Sequence, residues 1–310
     1  MACLYSFVVC NSNLHGVCRT QVLNKPGVKD TLFYLKKTLN FGGKLVTFEA
    51  PMIMGVMNIT PDSFYEGSRI GTADSVLFRA EDMITEGAGM IDVGGYSTRP
   101  GASEVSVDEE LKRIIPVVEV LHKKFPDTIV SIDTFRSAVA AEAVHHGASM
   151  INDVSGGSLD AKMFETVAAL GVPYVLMHMR GTPETMRDLN RYENLIREIG
   201  EFFSEKVNRL QAMKVSDIIL DPGIGFAKNI GQNFEILRNL GYFRNFGLPL
   251  MIGVSRKSLI YRTLNIDPGE ALNGTTVLNT LAILNGASIL RVHDVKAAHE
   301  AITLLNKYQF

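Results

Sequence analysis

The chain has 310 residues and nearly balanced charge, 31 Lys and Arg against 33 Asp and Glu, for a formal net charge of -2. That balance gives no global attraction to nucleic acid or to an anionic membrane, so any anionic ligand must be held by local charges. No apolar run approaches the roughly 20 residues of a membrane span, and the absence of Trp removes any aromatic-belt argument.

Residues 1–35 lack a clear period and are read as a disordered N-terminal extension. Cys3, Cys10 and Cys18 all fall in it, at spacings that fit no zinc pattern, so the expectation is a reduced, cytoplasmic protein. No Lys or Arg precedes the short apolar run from Leu4 to Cys10, which argues against a signal peptide. From Lys37 to Glu49, two short β-prone runs flank Gly42 and Gly43. This is a hairpin signal.

From Met52 onward one unit repeats: an apolar strand-like run, an abrupt change to glycines and polar residues, then an amphipathic stretch of helical period. The first strand is read over Met52 to Met57, with a loop to Gly71 and a helix capped at Thr72 or Asp74 that reaches Glu86. The second, Met90 to Val93, opens a long loop ending at Ser106, where S-V-D-E is a capping-box pattern ahead of Leu111, Ile114, Ile115 and Val118. Strands three to eight are expected to end at Asp133, Asp153, Met177, Asp221, Val254 and Val292. The longest helix is placed at Leu189 to Lys214 and the last at Val295 to Lys307. Eight βα units with continuously apolar strands predict one domain over residues 36–310, a (β/α)8 TIM barrel with the hairpin closing its bottom.

That fold puts chemistry on the loops after the strands. Asp133, Asn152 and Asp221 each follow an apolar strand run. Singly, such a residue is as readily a helix cap, but three converging on one mouth suit the edge of a flat heterocycle such as a pterin or purine. Arg99, Arg256, Lys257, Arg291 and His293 bring positive charge to the ends of strands two, seven and eight. The loops after strands seven and eight are a recurrent phosphate site, and Ser255 to Ser258, SRKS, add hydroxyls and a helix start. No P-loop, G-x-G-x-x-G or zinc motif is present.

The segments MGVMNITPDSF, IDVGGYSTRPGA, SIDTFR, INDVSGG, LMHMRGTP, LDPGIGFAK, GVSRKS and RVHD, spread from about Thr38 to Leu305, closely resemble the dihydropteroate synthases. The resemblance implies a transferase of folate biosynthesis that joins 6-hydroxymethyl-7,8-dihydropterin diphosphate to p-aminobenzoate, releasing diphosphate and 7,8-dihydropteroate. It implies that Asp133, Asn152, Asp221 and Lys257 hold the pterin ring, with Met177 and Phe226 packed near it. Asn58 would ligate Mg2+ with the diphosphate, whose oxygens Arg291, His293 and Ser97 or Thr98 would contact. Thr98, Arg99 and Pro100, with Ser258 and Phe226, would frame the p-aminobenzoate. The catalytic set so implied is Asp133, Asp221, Lys257, Arg291 and His293, in a cytoplasmic homodimer that is a sulfonamide target, joined through helices late in the barrel. Tyr96 departs from the acidic residue many members carry there. A methyltransferase on a similar pterin-binding barrel would share the Asp and Asn contacts but has no use for STRPG, SRKS and RVHD together.

Overall fold

The computed structural model describes residues 38–59, 69–96, 105–182 and 185–308. The proposed extension over residues 1–35, with its three cysteines, lies outside them, as do Ser97, Thr98, Arg99 and Pro100. An antiparallel hairpin of β1 (Thr38–Phe41) and β2 (Lys44–Thr47) comes first. Gly42 and Gly43 make its turn with φ of 59° and 98°, where a side chain would be strained.

The strands that follow are β3 (Met52–Asn58), β4 (Met90–Gly94), β5 (Ile129–Asp133), β6 (Met150–Asp153), β7 (Tyr174–Met177), β8 (Ile218–Asp221), β9 (Met251–Ile252) and β10 (Ile289–Val292). All eight are parallel, in the spatial order β8-β7-β6-β5-β4-β3-β10-β9. A parallel bridge from Leu220 to Leu250 brings the two ends of that order together and closes the barrel. Helices α1 (Arg69–Thr85), α2 (Val107–Lys124), α3 (Ser137–His145), α4 (Met163–Leu170) and α5 (Leu195–Ala212) fill the first crossovers. Then come α6 (Ile230–Arg238), α7 (Leu240–Phe243), α8 (Ser258–Leu264), α9 (Leu272–Leu284) and α10 (Val295–Tyr308).

Side chains alternate faces along a strand, so positions two apart share the barrel interior. At the starts of the strands the inward positions are apolar: Met90, Ile129, Met150, Val175, Ile219 and Ile289 form one buried cluster with Leu39, Phe41 and Phe48. The hairpin therefore plugs the end where the strands begin, as its sequence position suggested. The outward faces pack against the helices in a second, larger cluster.

Local boundaries shift where caps decide them. Ser106 caps α2 by accepting from Glu109 N at 3.2 Å, but Glu109 pairs with Arg113 at 3.0 Å rather than completing the box. The helix expected from Leu189 begins at Leu195 because Asn194 accepts from Arg197 N at 3.0 Å; at 18 residues it matches α2 in length rather than exceeding it. Helix α1 starts at Arg69, ahead of Thr72 and Asp74. Those residues are only modestly unfavourable inside a helix, so cap-type chemistry alone does not fix a start.

Candidate active site

The same alternation that builds the floor carries polar groups into the upper barrel. Two residues beyond Met90, Met150, Ile219 and Ile289 come Asp92, Asn152, Asp221 and Arg291. The register aligns Asp133 with Gly94 on one side and Asn152 on the other, and Asp221 with Met177. Asp133, Asn152, Asp221, Met177 and Arg291 thus face one mouth, as the sequence implied.

Arg291 is the centre of the arrangement. Its Nε donates to Asp92 Oδ2 at 2.7 Å and its Nη2 to Asp133 Oδ2 at 2.6 Å. Asn152 Nδ2 donates to the same Asp92 oxygen at 2.8 Å. Burial pushes the Asp133 carboxyl up to about 7, with Arg291 pulling the other way. Burial alone would lower the Arg291 guanidinium, but Asp92 and Asp133 more than reverse that, so it stays charged.

Asp221 is buried; its Oδ1 accepts from Gly223 N at 2.7 Å and its other oxygen makes no hydrogen bond among the described residues. Burial raises its pKa against the opposing charge of Lys257. Lys257 donates to Ile224 O at 2.5 Å and lies 4.9 Å from the centroid of the Phe226 ring. Burial lowers its ammonium to about 8, with Asp221 opposing the fall. Met177 is buried in a small apolar cluster with Val154, Met179, Met186 and Ala227, against which Phe226 packs. An apolar wall beside a row of polar groups is what a flat, polar-edged ring requires.

Two groups here escaped the sequence reading. Lys228 Nζ bonds the carbonyls of Phe226 at 2.9 Å and Gly223 at 3.0 Å and lies 3.0 Å from His178 Nδ1, joining the loops after β7 and β8. Burial lowers His178 to about 2, so its imidazole is neutral and accepts, and lowers Lys228 to about 7. The bonds to Phe226 O and the Tyr192 hydroxyl on Ala227 O at 3.0 Å hold Ala227 at a φ of 50°. The second group is Asp92, hidden in an apolar strand that a run-length reading treats as uniform. The period-two spacing of Met90, Asp92 and Gly94 is the signal that would have found it.

The remaining expected residues separate. Asn58 ends β3 with its side chain exposed. A Cβ built on Gly94 would lie 3.7 Å from Asn58 Oδ1 and 3.8 Å from Asp133 Oδ2, so these two groups border one space that glycine keeps open. An amide oxygen there fits Mg2+, which takes few protein ligands and completes its shell with waters and phosphate oxygens. Among the described residues no group of three or more His, Cys, Asp or Glu is placed to hold a metal ion. Ser258 opens α8, half-buried, and His293 follows β10 with an exposed side chain and its backbone N–H on Ser255 Oγ at 3.2 Å. Arg256, counted among the anion-facing charges, is otherwise engaged: it bonds both oxygens of Asp294 at 2.9 and 2.8 Å and Gly269 O at 2.6 Å. Tyr96 meets Phe135 edge to face at 5.2 Å, with the Arg136 guanidinium 5.2 Å from its ring.

This chain matches the pterin-binding enzyme family over residues 54–293. It is 41% identical to the dihydropteroate synthase of Escherichia coli (strain K12) over 265 residues, 85% of this chain and 93% of that one. Its fold superposes with a TM-score of 0.82 on the Yersinia pestis dihydropteroate synthase solved with a sulfonamide drug, at 39% identity, covering 88% of this chain and 99% of the other. The Xanthomonas albilineans dihydropteroate synthase, solved with 4-aminobenzoic acid, gives 0.81 at 36% identity, covering 88% and 98%. The chain belongs to the pterin-binding enzymes and, among them, to the dihydropteroate synthases.

Proposed function

We propose that the mouth of this barrel condenses 6-hydroxymethyl-7,8-dihydropterin diphosphate with p-aminobenzoate, and that the residues gathered around Arg291 divide the work. The observation that carries this is the convergence of Asp133, Asn152, Asp221 and Lys257 beside the Met177 and Phe226 wall, with Asn58 and Arg291 adjoining. Asp221 offers one free carboxylate oxygen to ring donors, and Lys257 offers an ammonium to a ring acceptor. Arg291 has Nε and Nη2 committed to carboxylates, so Nη1 is what it can present to the diphosphate. His293 and Ser97 or Thr98 would contact other diphosphate oxygens; Thr98, Arg99, Pro100, Ser258 and Phe226 would frame the p-aminobenzoate. The assignments to His293, Ser258 and the loop after β4 rest on the sequence resemblance.

In the reaction the bond from the pterin methylene carbon to the diphosphate oxygen breaks, and the aniline nitrogen bonds to that carbon and loses a proton. Asp133 and Asp221 favour positive charge that develops on the methylene if cleavage runs ahead of attack. Mg2+ held through Asn58 would supply charge neutralisation for the departing diphosphate. The aniline is largely neutral at pH 7, so attack needs no dedicated base. A coupled assay for diphosphate tests the reading: release is expected only when both substrates are present. Release without the amine, or none with both, would overturn it.

A homodimer through the late helices is supported by the outer faces of α9 and α10, where Val277, Leu281, Leu304 and Tyr308 are exposed. A cytoplasmic location agrees with the finding that, among the described residues, no helix is long and apolar enough to cross a membrane.

A further inference from the structure

Asp92 touches nothing outside the protein. It is fully buried, third in β4, one inward step above the apolar floor residue Met90. Its Oδ2 accepts from both Arg291 Nε at 2.7 Å and Asn152 Nδ2 at 2.8 Å, while its Oδ1 is buried without a partner among the described residues. A carboxylate facing a guanidinium can only accept, so Asp92 decides how the Asn152 amide is turned: nitrogen inward to Asp92, oxygen outward. That oxygen makes no hydrogen bond among the described residues, and although Asn152 is only 2% exposed, its Oδ1 is not among the buried orphaned atoms. An amide nitrogen and oxygen are nearly the same size, so without Asp92 the group could turn over at little steric cost and present the opposite polarity.

We propose that Asp92 is a specificity-determining positioning residue: by fixing the amide of Asn152 and the fork of Arg291, it makes the pocket present an acceptor at Asn152 and so selects rings that carry a donor at that edge. This rests on the reading of the mouth as a pterin site. Asp133, on the far side of Arg291, cannot substitute, because its bond is to Nη2 and it makes none to Asn152.

Three variants test it by steady-state kinetics with both substrates, alongside thermal unfolding. Asp92→Leu, of similar size, removes the acceptor that fixes the amide of Asn152 and should raise KM for the pterin diphosphate about tenfold or more, with a smaller change in KM for p-aminobenzoate. Asn152→Asp alone sets two carboxylates against each other and should lose as much. Asp92→Asn is the conservative control: Arg291 Nε holds its amide oxygen where Asp92 Oδ2 stood, that oxygen still accepts from Asn152 Nδ2, and KM should stay within a few-fold of the parent. An Asp92→Asn enzyme as impaired as Asp92→Leu, in protein that unfolds at the parent's temperature, would overturn the proposal. So would an Asp92→Leu enzyme with unchanged KM. Failure of the unaltered protein to release diphosphate would instead remove the pterin reading itself, so the two failures are distinguishable.

Discussion

The two ends of this barrel are made from the same strands by the same alternation, yet they are chemical opposites. At the floor, Met90, Ile129, Met150 and Ile219 point inward and are sealed by Leu39, Phe41 and Phe48 of the hairpin. Two residues along the same strands stand Asp92, Ser131, Asn152 and Asp221, all buried and three of them ionisable or amide groups. Apolar burial at the floor stabilises the fold outright. Burial of charge at the mouth costs desolvation that only mutual pairing offsets, as around Arg291. The protein keeps its stability at one end of the axis and its chemistry at the other.

The sharpest way to break that division is at the plug. Phe41 is 4% exposed and contacts the floor cluster from outside the barrel, so Phe41→Ala should cost about 3–5 kcal/mol of stability. Chemical denaturation should show the loss, while KM for both substrates in the folded protein stays where it was. A large KM change would mean that floor and mouth are coupled. The reverse experiment is Asp221→Asn. The amide oxygen can keep the bond from Gly223 N and the buried charge is removed, so the unfolding midpoint should hold or rise. Pterin binding by calorimetry should weaken by about 1.5–3 kcal/mol, the value of hydrogen bonds to a charged partner. Unchanged affinity would take Asp221 out of the ring site.

This division also explains what the sequence made legible. The eight units and the hairpin were readable because apolar runs, glycine turns and caps such as Ser106 are local signals. Asp133, Asn152, Asp221, Lys257 and Arg291 were readable because each sits where an apolar run stops, and because the motifs around them are distinctive. What stayed hidden was pairing across the barrel. Asp92 and Arg291 are 199 residues apart, and His178 and Lys228 are 50 apart. Arg256 was misjudged for the same reason: nothing near it in sequence announces Asp294, 38 residues on, as its partner.

The smallest expected effect is a pH dependence set by Lys257. Its ammonium, lowered to about 8 by burial against the pull of Asp221, also faces Arg291 and Asp133. Only the protonated form offers the ring a charged donor, and a base whose pKa is lowered sheds that proton as pH rises through about 8. The value of kcat/KM for the pterin diphosphate reports ionisations of the free enzyme. It should therefore be halved near that pH and fall about tenfold per unit well above it, while protonation of Asp133, raised to about 7, sets a separate fall on the acid side. Lys228, lowered to about 7, titrates close by, so the assignment needs a control. Lys257→Arg supplies one, because a guanidinium keeps its proton throughout this range, although its fork does not reproduce an ammonium. The variant should start lower and show no fall near pH 8. If its profile bends where the parent's does, the titrating group is not Lys257, and Lys228, beneath the loop that carries Phe226, becomes the residue to test.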